Sequence, residues 1–163
     1  MSSQLPGLAR TSILAISFAA MIVLAALLRQ TGEAIGGLLD MQTTGAAARD
    51  LMARYTPYQR DVHAHATLLY DGLYPLAYGA FFAGLAIRLG GRSARWVAWT
   101  MLAGMIADFA ENSIQLLALG GRADLLGAKT VITPLKFALT GTAVLAALVL
   151  AARAGLARLR SLR

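Results

Sequence analysis

The residues with the most chemical potential in this sequence are three carboxylates and a lysine that interrupt long apolar runs: Asp71, Asp108, Glu111 and Lys136. A charge at the centre of a bilayer costs about 2.5–3.5 kcal/mol even on insertion scales, so each of these groups needs a partner or a task. None of them stands alone. Thr67, Asp71, Tyr74 and Tyr78 follow i, i+4, i+7, i+11 spacing and so share one helix face. Asp108, Glu111, Asn112 and Gln115 do the same at i, i+3, i+4, i+7, and Thr133, Lys136 and Thr140 form a third stripe. Carboxyl groups gathered in a low dielectric can bind a cation, carry a proton or divide into an acid and a base.

Other chemistries find little support. The chain has no cysteine, which removes disulfides, thiolate metal sites, iron–sulfur clusters and thiol nucleophiles. Asp71, Asp108 and Glu111 could in principle form an all-carboxylate metal site, but no Glu-x-x-His pair supports a di-iron bundle. No metal and no cofactor are therefore expected. His63 and His65 stand two residues apart and point to different helix faces, which makes a poor metal pair or haem site. Ser113 adjoins the polar face of its helix without a neighbouring histidine, and no serine sits in a nucleophile elbow. Tyr70, Tyr74 and Tyr78 read as packing and cavity lining rather than as a proton relay, and Gly90-Gly91 and Gly120-Gly121 as turns at helix ends.

The elements that must position these groups are membrane spans. The 163 residues are 58% apolar and only 14% charged, with a mean hydropathy of +0.61, beyond ordinary globular usage. Crossing a hydrocarbon core of about 30 Å takes roughly 20 apolar residues, and four runs qualify: 11–28, 66–89, 96–119 and 131–152. The first is too long for the roughly 7–15-residue core of a signal peptide despite Arg10 and Ala25-Ala26, so an uncleaved helix is expected. If the spans alternate, Arg10, Arg88, Arg92, Arg95, Arg153, Arg158, Arg160 and Arg163 share one side. The other side holds Arg29, Arg49, Arg54, Arg60, Arg122 and Lys129, offset by Glu33, Asp40, Asp50, Asp61 and Asp124. The positive-inside rule then puts both termini in the cytoplasm, with Trp96 and Trp99 as inner interfacial anchors and Tyr55 and Tyr58 as outer ones. Topology thus explains the net charge of +7, and no nucleic acid is expected as a partner.

The outer loop, 29–65, is too long for a plain connection, and surface helices are expected between Ala34 and Tyr55, the last ended by Pro57. Pro75 removes the hydrogen bond to the carbonyl of residue 71 and predicts a kink at the acidic site. Gly79, Ala80, Ala83 and Gly84 offer a small face for close helix approach, and Pro134 falls near a helix start. Counting inward at 1.5 Å per residue, Asp71, Lys136, Asn112 and Glu111 lie about 8–12 Å deep and Asp108 roughly 16 Å, so three helices bring their polar groups to similar heights.

The resulting expectation is an all-α, four-helix transmembrane bundle, one integral membrane domain over 1–163, with both termini cytoplasmic in a bacterial inner membrane. Lys136 is expected against Glu111 or Asp108, with Asp71, Asn112, Gln115 and Tyr74 close by and Arg54, Arg60, His63 and His65 as a lid. Three carboxylates against one ammonium leave negative charge, which invites a proton or an outside cation. The leading reading is an outward-facing acidic cavity that binds a small cationic or amphiphilic ligand, open to coupling with proton movement. A second reading is an intramembrane enzyme acting on a lipid or isoprenoid by carboxylate acid–base chemistry. A third is an accessory subunit of a larger membrane complex. Transport through so few spans would call for a homodimer, and a polar clamp that only fixes helix register is the bland alternative.

Overall fold

The computed structural model describes residues 7–91 and 93–161; Arg92 and Arg163, counted in the charge balance above, lie outside them. Among the described residues the chain is all-helical and without strands. Helix α1 spans Thr11–Ile35, a short α2 spans Gly45–Ala53, α3 spans Pro57–Ala66, and a π-helical turn at Thr67–Asp71 leads straight into α4, Gly72–Leu89. Helices α5, Ser93–Leu119, and α6, Lys129–Ser161, complete the chain. Thr11–Ile35, Pro57–Leu89 and Leu126–Ser161 are long and apolar enough to cross a membrane. At 27 residues, or about 40 Å, α5 has the length, but its four-residue polar stripe lowers its apolar character.

The helices outrun the apolar runs that announced them, because helix propensity does not stop where hydrophobicity does. Helix α1 continues through Arg29 and Glu33, which pair at 2.8 Å with i, i+4 spacing, and ends where Gly36 turns left-handed (φ 85°) and the Gly37 amide reaches the Gly32 carbonyl at 2.8 Å. Pro57 opens a helix as well as following one. It occupies the first position of α3, where its missing N–H costs nothing, behind a reciprocal cap between Thr56 and Gln59. The segment between α1 and α3 therefore contains one short helix, α2, and a 3-10 turn at Leu39–Met41. Tyr55 is no interfacial anchor: it is buried and donates to the Gly37 carbonyl at 2.7 Å, and burial, then the Asp40 carboxylate, pushes its phenol up to about 12. Tyr58 is exposed.

The molecule is apolar outside and polar within. Ile16, Ile22, Leu73, Ile106, Val131 and Leu145 face outward on the four long helices, while Asp108, Glu111, Gln115, Lys129 and Lys136 are buried. Two apolar clusters sandwich this polar layer. One, built on Leu39, Leu51, Leu119 and Leu126, holds the segment between α1 and α3; the other, built on Tyr78, Met101, Ala143 and Ala147, joins α4, α5 and α6 at the far end. Small residues set the approach distances. A Cβ at Gly104 would fall 2.6 Å from the Thr140 methyl, so glycine there lets α5 meet α6. Helix α1 rests on α4 through the Phe18–Phe81 contact, with ring centroids 5.1 Å apart, and through Leu14 over Gly84.

Candidate functional site

Pro75 shapes the site through its missing N–H. The carbonyl of Asp71 would ordinarily accept from residue 75; with proline there it cannot, and the helix widens into the π turn that ends at Asp71. The side-chain amide of Asn112 on α5 supplies the replacement, donating to that carbonyl at 3.2 Å. A backbone defect on α4 thus becomes an α4–α5 contact, and it places the Asp71 carboxyl in the interior with its buried Oδ2 lacking a hydrogen-bond partner among the described residues.

Charged groups on α5 and α6 are linked in a chain. Tyr78 Oη donates to Asp108 Oδ2 at 2.8 Å, and Lys136 Nζ donates to Asp108 Oδ1 at 3.3 Å and lies 2.5 Å from Glu111 Oε2. Glu111, fully buried, also accepts from Thr133 Oγ1 at 2.6 Å and from the ammonium of Lys129. Lys136 therefore bridges both acids that the spacing offered it. Lys129, read from the sequence as a flank of the span, is a second internal cation with no exposed surface. The signal was present: Lys129, Thr133, Lys136 and Thr140 continue one stripe at i, i+4, i+7, i+11.

Asp40 is the second residue that periodicity missed. It sits in the 3-10 turn, is buried, accepts from the Gln115 side-chain amide, and its carboxyl lies beside that of Asp71. His63 holds the turn in place: its Nε2 accepts the Leu39 amide at 2.8 Å, which leaves Nδ1 to donate to Thr67 Oγ1 at 3.0 Å. Both nitrogens of this buried ring are thus engaged within the fold.

These groups border a cavity of about 690 Å³, within the roughly 300–1,000 Å³ range of small-molecule sites. Asp40, Asp71, Tyr74, Tyr78, Asp108 and Lys136 supply its polar lining; Met21, Ala25, Phe82 and Val144 supply apolar lining. Tyr74 packs edge-on against Tyr78 at 5.3 Å. Arg29 and Glu33, also unforeseen in this place, border it from α1 as an ion pair. Arg54, Arg60, His63 and His65 do not line it. Arg54 caps α2, Arg60 donates to the Met52 carbonyl, His63 is the anchor described above, and His65 bonds the Asp61 carbonyl beside Tyr70 in a separate cavity of about 200 Å³. Among the described residues no three histidine or carboxylate side chains are grouped to hold a metal ion.

The charges around the cavity do not balance. Glu111 and Lys129 form one pair, Asp108 and Lys136 a second, Glu33 and Arg29 a third. Among the described residues Asp40 and Asp71 form no ion pair. Comparison of the chain with protein families, curated proteins and solved structures gave no match, so its chemistry rests on this geometry.

Proposed function

We propose that the protein is a multi-pass membrane protein whose acidic cavity binds a small cationic or amphiphilic molecule and couples that binding to protonation. The observation that carries this reading is the pair of buried carboxyls, Asp40 and Asp71, that open on one cavity and form no ion pair among the described residues. Buried carboxylates need compensation, and a ligand cation or a proton supplies it.

In this reading α1, α3–α4, α5 and α6 are four spans of a bacterial inner-membrane protein. The inward aim of every charge in the middle of α5, together with Leu102, Ile106 and Phe109 on its outside, supports its inclusion. Arg88 donates to Thr11 Oγ1 at 2.9 Å, which puts the start of α1 beside the end of α4. That end also holds Arg10 and Arg95, and it becomes the cytoplasmic face. The Asp40 and Asp71 carboxyls of the cavity then lie toward the outer side.

A second reading, an enzyme acting on a lipid, draws on the unlike surroundings of two acids in one cavity: Asp108 bonded to Tyr78 and Lys136, Asp71 without a side-chain donor. The subunit reading loses the feature that prompted it, since the α5 stripe is buried within the chain. Melting of detergent-purified wild type, Asp71→Asn and Lys136→Met with a panel of amines and lipids tests the main reading. A cation should raise the wild-type midpoint by several degrees and leave folded Asp71→Asn unmoved; equal shifts in both, or none, contradict it.

A further inference from the structure

We infer, building on the binding cavity proposed above, that its ligand is a single-chain amphiphile with a protonated amine head, which reaches the site sideways from the outer leaflet through the gap between α1 and α6. The first support is the helix arrangement. Helix α1 packs on α3 and α4 and forms no comparable seam with α6. The cavity fills the place of that seam, with Met21, Ala25 and Leu28 on one wall and Phe137, Thr140 and Val144 on the other. Phe137 is exposed at the rim, and Met21, Ala25 and Val144 are only half-buried.

The second support is the direction of the polarity. From Asp71 to Phe82 along α4 the wall runs about 16 Å, close to half of a hydrocarbon core of about 30 Å. Asp71 stands at the outer end of this wall, about 8–12 Å deep, and Phe82 at its inner end, past the bilayer centre. A single alkyl chain drawn in from the outer leaflet follows that line, its head at the carboxyls and its tail running inward past the bilayer centre. A water-borne cation would use only the polar groups and leave the apolar wall of Met21, Ala25, Phe82 and Val144 without a purpose.

The third support is the roof. Gly37, Leu38, Asp40 and Met41 close over the polar groups, and this segment is fixed by the Leu39–His63 and Gly37–Tyr55 hydrogen bonds. The route from water is thereby narrowed while the side facing lipid stays open. The head is cationic because two carboxyls that form no ion pair among the described residues face it; a neutral or anionic head would leave them buried without a positive charge.

The test is a chain-length series on the full-length protein in lipid nanodiscs, with empty nanodiscs as background. Butylamine, octylamine and dodecylamine are compared for saturable binding, with dodecanol as the uncharged control. Affinity should rise at least ten-fold from butylamine to dodecylamine, dodecanol should not compete, and Ala25→Trp and Val144→Trp should each weaken dodecylamine at least ten-fold while sparing butylamine. Butylamine binding as tightly as dodecylamine, or dodecanol competing equally, overturns the amphiphile while the acidic cavity stands. If no amine binds saturably, the binding-cavity reading itself falls. The wild-type series decides the matter even where a tryptophan variant fails to fold.

Discussion

At the scale of single residues, the site depends on repairs to groups that would otherwise be buried and unsatisfied. Asn112 serves a carbonyl that Pro75 has deprived of its donor. Asn112→Ala should cost about 1–3 kcal/mol, the usual loss for an unpaired buried acceptor. In a Pro75→Ala background, where residue 75 again carries an N–H, the same change should cost about 1 kcal/mol less. A double-mutant cycle read by denaturation would show this coupling, and strictly additive losses would refute the repair. Lys129 is the second case. Breaking a fully buried ion pair costs about 3–5 kcal/mol, so Lys129→Met should be severe, and adding Glu111→Gln should restore a good part of the loss. A Lys129→Met protein as stable as wild type would show that this ammonium is not an internal counter-ion. The acids of α4 and α5 were legible from spacing alone, because a residue that lipid rejects must face inward. Asp40 was not, since its position depends on a turn held by His63, 23 residues further along the chain.

At the scale of elements, the apolar runs located the long helices but not their ends. Hydropathy reports what lipid would accept, whereas Gly36, Thr56 and Pro57 set where helices stop and start. The segment between α1 and α3 shows the difference most clearly. Its helix α2 is docked by backbone proximity: a Cβ on Gly45 would lie 2.5 Å from the Leu126 carbonyl oxygen and 2.7 Å from the Gly127 Cα. Neither neighbour is a side chain that could swing away. Gly45→Ala should therefore cost about 1–3 kcal/mol and speed hydrogen exchange across α2. Gly141→Ala is the matched control, since a Cβ there meets nothing within 4 Å, and it should be neutral or stabilising by about 0.5–1 kcal/mol. Equal stability of the two variants would show that α2 is not seated on the Leu126–Gly127 backbone. No local pattern marked Gly45 for this role, because its partner lies some 80 residues away.

At the scale of the whole molecule, depth along three helices was enough to foresee that α4, α5 and α6 would gather their polar groups into one layer. The part played by α1 could not be foreseen. Its apolar run holds no charge, and its contribution is one wall of a cavity and an ion pair beyond the run's end. The result is a set of packed helices with an apolar exterior, a linked set of internal ion pairs, and two acids, Asp40 and Asp71, that form no ion pair among the described residues. The central claim, that these acids bind a cation in exchange for a proton, is met most directly by titration calorimetry. Dodecylamine binding is measured in buffers of different ionisation enthalpy, for wild type and Asp71→Asn. Wild type should release a proton from the protein for each amine bound, and Asp71→Asn should bind at least ten-fold more weakly without that release. Binding that leaves the proton balance unchanged, or that is indifferent to Asp71→Asn, would contradict the claim.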